Sequence, residues 1–254
     1  AKGSKRTILL NDKGKIVDFV TVLKVNKDLL MISTNGNEDI LKDHLEKFTV
    51  LEDISFSIEK VKKHTFITEG NSELNEIQGL DLIEGNYYCS DDYRFRKIIA
   101  LIYNEDSAYL KNLYLKNQEF AEESFRSFAI EKAYLYSVSE LNENINPLEC
   151  HLKNFISFNK GCYIGQEVIA RLDSQGKIPK AMVHITADFR ISKGDKIFSN
   201  ISGFETECGF ISSAIYNDEI FKGFGFIREV NLSDSFNYYI NKDNNKIISI
   251  NKLN

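Results

Sequence analysis

The sequence predicts an α+β fold with antiparallel sheets, followed by a small C-terminal β-barrel, on three observations. The N-terminal part runs through two strand-like segments, a helix-like one and then further strand-like ones, an order that suggests an antiparallel sheet with helices set to one side. After Gly176 the character changes, and short apolar runs alternate with Asn, Asp and Gly turns. The length of 254 residues, with 43% apolar and 27% charged side chains, suits a globular chain of one or two domains.

Taken in order, Thr7 to Leu10 is a short apolar run that ends in Asn11-Asp12-Lys13-Gly14, a hairpin-type turn. Ile16 to Val25 and Leu29 to Thr34 read as strands separated by Asn26-Lys27-Asp28. A helix is expected from Glu38 to Phe48, with Ile40, Leu41, His44, Leu45 and Phe48 on one face. His44 on that face is expected to pack rather than to bind a ligand. Ile54 to Ile67 alternates as two strands broken near Lys60, and Asn71 to Gly85 carries only weak signals. Tyr87 to Cys89 and Ile98 to Tyr103 look like further strands.

Tyr109 to Ala133 is polar and helical, and its aromatic stripe is expected to be core. Pro147-Leu148-Glu149 suits a fixed turn or a first helical position. The later runs are Lys180 to Thr186, Lys196 to Phe198, Glu205 to Tyr216, Phe221 to Ile227, Asn237 to Ile240 and Lys246 to Ile250. Gly176-Lys177-Ile178-Pro179 is the expected linker, which divides the chain into residues 1–175 and 176–254.

A formal charge of −5 and a pI near 5.5 argue against a broad nucleic-acid footprint, so no direct nucleic-acid binding is expected. No apolar run approaches the ~18 residues that a membrane span needs, so no membrane contact is expected. Cys89, Cys150, Cys162 and Cys208 show no C-x-x-C spacing, so no metal or cluster site is written in the chain. Scattered cysteines fit a reducing compartment: the cytoplasm, or the mitochondrial matrix of a eukaryote.

The stretch most telling of function is Lys160-Gly161-Cys162-Tyr163-Ile164-Gly165-Gln166-Glu167-Val168-Ile169-Ala170-Arg171. Gly165-Gln166-Glu167 suits the first turn of a helix, and Glu167 and Arg171 stand at i,i+4. Cys162 would then lie just outside a helix N-terminus with Lys160 beside it. Both features favour the thiolate, which makes Cys162 the candidate catalytic residue. A structural cysteine in a glycine turn is the plainer alternative.

Lys-Gly-Cys-Tyr-x-Gly-Gln-Glu-x-x-Ala-Arg resembles the signature of the YgfZ family of folate-binding proteins, whose mitochondrial homologues support 4Fe–4S cluster assembly. That family is a branch of the fold of the glycine cleavage T-protein, a tetrahydrofolate-dependent aminomethyltransferase. The resemblance is strong from Pro147 to Arg171, moderate over Asn11 to Asp18 and Gly209 to Ala214, and thin elsewhere. It implies T-protein-like α+β subdomains, the first of them shortened at its N-terminal side, together with the C-terminal barrel.

The resemblance also implies site roles and a ligand, tetrahydrofolate. Glu149 matches the glutamate of a Pro-x-Glu element associated with the pteridine, where a carboxylate can accept two parallel N–H bonds. Arg171 could hold the glutamate tail of a folate or pair with Glu167. Lys160 and Tyr163 are further ligand candidates, with packing as the alternative for Tyr163. Asp18 is what remains of an acidic pair, because Phe19 stands for the second aspartate and Lys15 for the second glycine of a T-protein segment. Likewise Ala129 replaces an arginine and Ala133 a glycine of an Arg-Ile-Glu-x-Gly segment.

The expected function is that of a folate-binding accessory protein for iron–sulfur cluster assembly or repair, and thereby for enzymes such as tRNA-modifying ones. Its expected partners are folate and iron–sulfur proteins or assembly factors. Two alternatives stay open: a tetrahydrofolate-dependent one-carbon transferase, and a non-catalytic interaction protein on the same fold.

Overall fold

The structure is a computed structural model that describes residues 5–25, 27–59, 62–68, 86–92, 95–102 and 122–253. The chain forms two compact units, one of Ala1–Thr7 and Val20–Phe120, the other of Ile8–Phe19 and Ala121–Asn254. It passes from one to the other within its first two strands, β1 (Lys5–Leu10) and β2 (Ile16–Val25), which form a sheet of order β1-β2-β3 with β3 (Asp28–Ile32).

In the first unit, β2 and β3 pair antiparallel from Thr21↔Ile32 to Val25↔Asp28. Helix α1 (Glu38–Phe48) occupies the expected range. Asn37 caps it by accepting from the Ile40 N–H, Glu38 and Asp39 meet the positive end of its dipole, and Lys47 meets the negative end. The expected apolar face is only partly used: Leu41 is buried, whereas Ile40 is 46% and Phe48 44% exposed. His44 packs edge-on against Phe48, with ring centroids 5.1 Å apart.

The strand expected to begin at Ile54 is absent, and residues 53–59 have no regular structure. Within that range the Ile54 N–H turns back to the Glu52 carbonyl at 2.9 Å, a local bond that takes a donor a strand ladder would use. Strand β4 starts at Lys62 and ends at Thr68. It forms a second antiparallel sheet, order β4-β6-β5, with β5 (Asn86–Asp92) and β6 (Phe95–Ile102). The weakly marked Asn71 to Gly85 segment lies outside the described residues.

The second unit is built on a closed barrel of order β10-β7-β12-β11-β8-β9. Its strands are β7 (Lys180–Ala187), β8 (Lys196–Ile201), β9 (Phe204–Asn217), β10 (Ile220–Arg228), β11 (Tyr238–Ile240) and β12 (Asp243–Lys252). These follow the runs expected after Gly176. Val183, Ile185, Ile197, Ile211 and Ile227 belong to one core cluster of the barrel, each at most 1% exposed. A second core joins Met182, Phe224 and Phe226 to Ile16, Phe19, Leu141 and Ile145.

Helix α2 (Glu122–Glu131) is the described part of the longer helix expected from Tyr109; residues 109–121 lie outside the described set. Asn217 Nδ2 donates to Ser127 Oγ at 2.7 Å, Lys222 pairs with Glu131 at 2.8 Å, and His184 Nε2 bonds the Ile130 carbonyl at the helix end. Phe125 and Phe128 are half-buried and Ile130 is buried, so the aromatic stripe packs as expected where it is described.

β9 carries two bulges, and each is stitched by its extra residue. Pairing skips Cys208 between Ile197↔Gly209 and Phe198↔Glu207, and the Cys208 thiol donates to the Ile197 carbonyl at 3.4 Å. Pairing skips Ser212 between Phe224↔Ser213 and Gly225↔Ile211. The Ser212 hydroxyl lies 3.1 Å from the Phe224 carbonyl and 2.7 Å from the buried Glu140 carboxyl. One hydroxyl proton cannot serve both acceptors fully. Burial pushes the Glu140 pKa up, while hydrogen bonds from Ser212 and Ser213 pull it part of the way back.

The turn after β1 is fixed by Asn11. Its side chain accepts from the Lys13 and Lys15 N–H groups at 3.0 Å, and its carbonyl accepts from the Gly14 N–H. This turn packs directly on Gly165, which has φ +78° and precedes helix α3 (Gln166–Gln175). A Cβ on Gly165 would lie 2.6 Å from the Asn11 carbonyl oxygen and 2.9 Å from Gly14 Cα. Gly176, at the other end of α3, shares a left-handed backbone (φ +60°) but has open space around it.

Alanine at either glycine should lose about 1–2 kcal/mol for the left-handed backbone. Gly165→Ala should lose measurably more than Gly176→Ala, because only there does backbone stand in the way. Urea midpoints of the two variants measure the difference, and equal losses would mean that the close approach carries no energy.

Candidate functional site

Asn146 and Glu149 cap each other across a short 3-10 turn, Pro147–Cys150. Asn146 Oδ1 accepts from the Leu148 N–H at 2.9 Å, and Glu149 Oε2 accepts from the Asn146 N–H at 2.8 Å. Pro147 stands at the first position, where its missing N–H costs nothing. Asn146 Nδ2 donates to the Gly14 carbonyl at 2.9 Å, and the Ile16 N–H to the Ile145 carbonyl at 3.0 Å. The Asn11 turn, the Gly165 junction and the Glu149 turn therefore meet within one compact unit.

Glu149 is 1% exposed. Lys15 Nζ and Lys180 Nζ each lie 3.8 Å from its Oε2. Burial raises the Glu149 pKa, while the Asn146 N–H and then the two ammonium groups pull it back down. Burial likewise lowers the Lys180 pKa, with Glu149 holding it up and Lys15 pressing it further down. Among the described residues Oε1 accepts no hydrogen bond, so one oxygen is unused and the other keeps a lone pair beyond the Asn146 bond. The carboxylate can still accept from a planar N–H edge.

The other expected site residues are spread around this centre. Cys162 is exposed, three residues before Gly165. Lys160 Nζ sits 4.7 Å from the centre of the Tyr163 ring. Tyr163 packs with Leu10, Leu148 and Ile169, and its buried hydroxyl has no hydrogen-bond partner among the described residues. Gln166 steadies this loop by accepting from the Tyr163 N–H at 3.2 Å. Arg171 is exposed on α3, and neither it nor Glu167 has an ion-pair partner among the described residues. Asp18 is buried and accepts from the Phe19 N–H at 2.7 Å. No hydrogen bond or ion pair among the described residues joins Glu149 to Cys162, Lys160, Tyr163, Arg171 or Asp18.

The sequence did not single out Lys15 or Lys180 as partners of Glu149. Lys15 entered only as a departure from a glycine, and Lys180 only as the start of a barrel strand. Ala133, read as the replacement of a glycine, has φ +52°, the left-handed backbone that glycine adopts without strain. Ala129, which replaces an arginine, is fully buried.

No protein-family model matches the chain, and no curated protein does. Solved structures do match, and they place the chain in the aminomethyltransferase-like class of folds. They include the crystal structure of glycine cleavage system aminomethyltransferase T from Bartonella henselae, with a TM-score of 0.74 and 16% identity, covering 98% of this chain and 75% of that one. At that identity the likeness is one of fold.

Two expectations follow. Cys150 is buried and its pKa is raised well above the ordinary thiol value, while burial holds Cys208 at about 11. A small alkylating agent at neutral pH should label Cys162 ahead of both, as read by peptide mapping; faster labelling of either buried thiol would contradict the burial pattern. For Glu140, a raised pKa in the folded state means that the fold loses stability as pH rises from the ordinary 4.5 to the raised value. Glu140→Gln should match wild type well below pH 4.5 and gain on it above, by denaturant midpoints across pH; a gap independent of pH would contradict the raised value.

Proposed function

We propose that this protein is a folate-binding accessory factor of the YgfZ kind, which supports the assembly or repair of iron–sulfur clusters, including those of tRNA-modifying enzymes. The observation that supports it most is a buried Glu149 with an unbonded oxygen, held in the same compact unit as an exposed Cys162 in the Lys-Gly-Cys-Tyr-x-Gly-Gln-Glu motif. A fixed carboxylate with a free oxygen is chemically suited to the N–H edge of a pterin. Tetrahydrofolate, when bound, would supply that edge and a reduced ring. Glu149 would orient it, with Lys160, Tyr163, Arg171 and Asp18 as the further ligand candidates.

Cys162 would act at the surface, on a partner protein or on a cluster that is cargo. The cargo contact proposed is a passing one through a single thiolate, that of the exposed Cys162. The division into a folate-binding region, residues 1–175, and a barrel domain, residues 176–254, belongs to the same proposal, as does a place in the cytoplasm or mitochondrial matrix.

The fold also supports a second reading, a one-carbon transferase. Against it stand the replacements at Lys15 and Phe19. Turnover of tetrahydrofolate with an aminomethyl donor that depends on Asp18 and survives Cys162→Ala would favour the transferase.

Calorimetric titration with tetrahydrofolate tests the folate half. Glu149→Ala should lose about 2–3 kcal/mol of binding, one to two decades in Kd. Glu149→Gln keeps the oxygen that accepts from Asn146 and controls for loss of the turn. An unchanged Kd in Glu149→Ala, or no binding to wild type, would overturn it. The Cys162 half is tested in cells: Cys162→Ser should lower the activity of an iron–sulfur enzyme while leaving the folate Kd unchanged, and full activity would overturn it.

A further inference from the structure

Two ammonium groups share one buried carboxylate oxygen, and neither hydrogen-bonds it. Lys15 Nζ and Lys180 Nζ both stand 3.8 Å from Glu149 Oε2, beyond bonding distance. Among the described residues neither ammonium reaches any other hydrogen-bond acceptor. Each carries three N–H donors, so the cluster holds a surplus of donors and a net positive charge beside the unbonded Oε1.

The two lysines are not equivalent. Lys180 opens strand β7, and its ammonium is pinned over the faces of Phe226 and Phe210, 5.2 and 5.4 Å from their centres. Its side chain is 21% exposed, against 28% for Lys15 at the end of the Asn11 turn. Lys180 is therefore a donor of fixed position next to a fixed acceptor. The side chain is partly exposed, yet burial keeps the ammonium under-solvated and so favours an incoming oxygen.

We propose that Lys180 determines specificity at this site by donating to the 4-oxo group of a pterin while Glu149 Oε1 accepts the neighbouring ring N–H. An acceptor beside a donor is the complement of a lactam edge. A 4-amino pterin presents the opposite pattern, an amino donor toward the ammonium and a bare ring nitrogen toward the carboxylate, so it is rejected. Lys15 neutralises Glu149 and does not read the ring. The proposal rests on the reading of Glu149 as the pterin-binding carboxylate.

The test is calorimetric titration with tetrahydrofolate and with its 4-amino counterpart, which differ at one ring substituent. Wild type should bind the 4-oxo form at least about tenfold more tightly, given the cost of leaving a buried polar group unpaired. Lys180→Met, which keeps an apolar stem between the rings, should lose that preference by weakening only the 4-oxo form. Lys180→Arg, with its donors retained, should restore much of the preference. Lys15→Met should weaken both forms alike. Thermal melts of each variant show whether the fold is kept, and the Lys180→Arg comparison carries the test if Lys180→Met does not fold. Equal affinity for the two forms in wild type, or a preference that survives in Lys180→Met, would overturn the role of Lys180 and leave folate binding standing. Failure of both forms to bind wild type would overturn the folate reading, and the role of Lys180 with it.

Discussion

The contact on which the second unit depends is the seating of the Asn11–Gly14 turn against Gly165 and Asn146. It joins the end of β1 to two stretches far from it in sequence, the capped 3-10 turn and the entry to α3. Its tolerance is small, because Gly165 approaches the turn's backbone more closely than a Cβ allows. The Asn146 amide holds the other side through the Gly14 carbonyl. Lys15 follows immediately, so any shift of the turn moves an ammonium group relative to Glu149. The left-handed glycine, the asparagine cap and the ion cluster thus form one arrangement.

The same unit handles two buried glutamates in different ways. Glu140 is met by the hydroxyl of a bulge residue, and burial favours its neutral form. Glu149 is met by a backbone N–H and two ammonium groups, which offset part of the same desolvation. Ion pairs at 3.8 Å without hydrogen bonds are poor stabilising devices, since attraction barely repays the removal of charge from water. A hydrophobic triplet would serve the fold as well. The cost is understandable if the charges serve a ligand, which is the role proposed for them.

Much of the architecture was legible from local chemistry. The spacing of Ile40, Leu41, His44, Leu45 and Phe48 marked α1, which spans the expected residues. Alternating runs with Asn, Asp and Gly turns marked the barrel strands. The pattern failed where a local bond competed with it, as in the Ile54 N–H turning back to the Glu52 carbonyl. It failed again on α1, where Ile40 and Phe48 share a face with Leu41 but are not covered as it is. Periodicity records which residues could be buried together, not which ones find something to pack against.

By itself the sequence determined the elements whose causes lie within a few residues. These are the Asn11 turn, the glycine before α3, the Pro147 turn and the barrel's strand spacing. It also isolated Cys162 by its glycine and lysine neighbours, whereas Glu149 was singled out through the family resemblance. Only the tertiary structure decided that Glu149 is buried, that Cys162 is exposed, and that Lys15 and Lys180 converge on one carboxylate oxygen. Charge pairing and desolvation depend on atoms brought together from segments more than a hundred residues apart, Lys15 and Glu149 among them, and no local pattern encodes that distance.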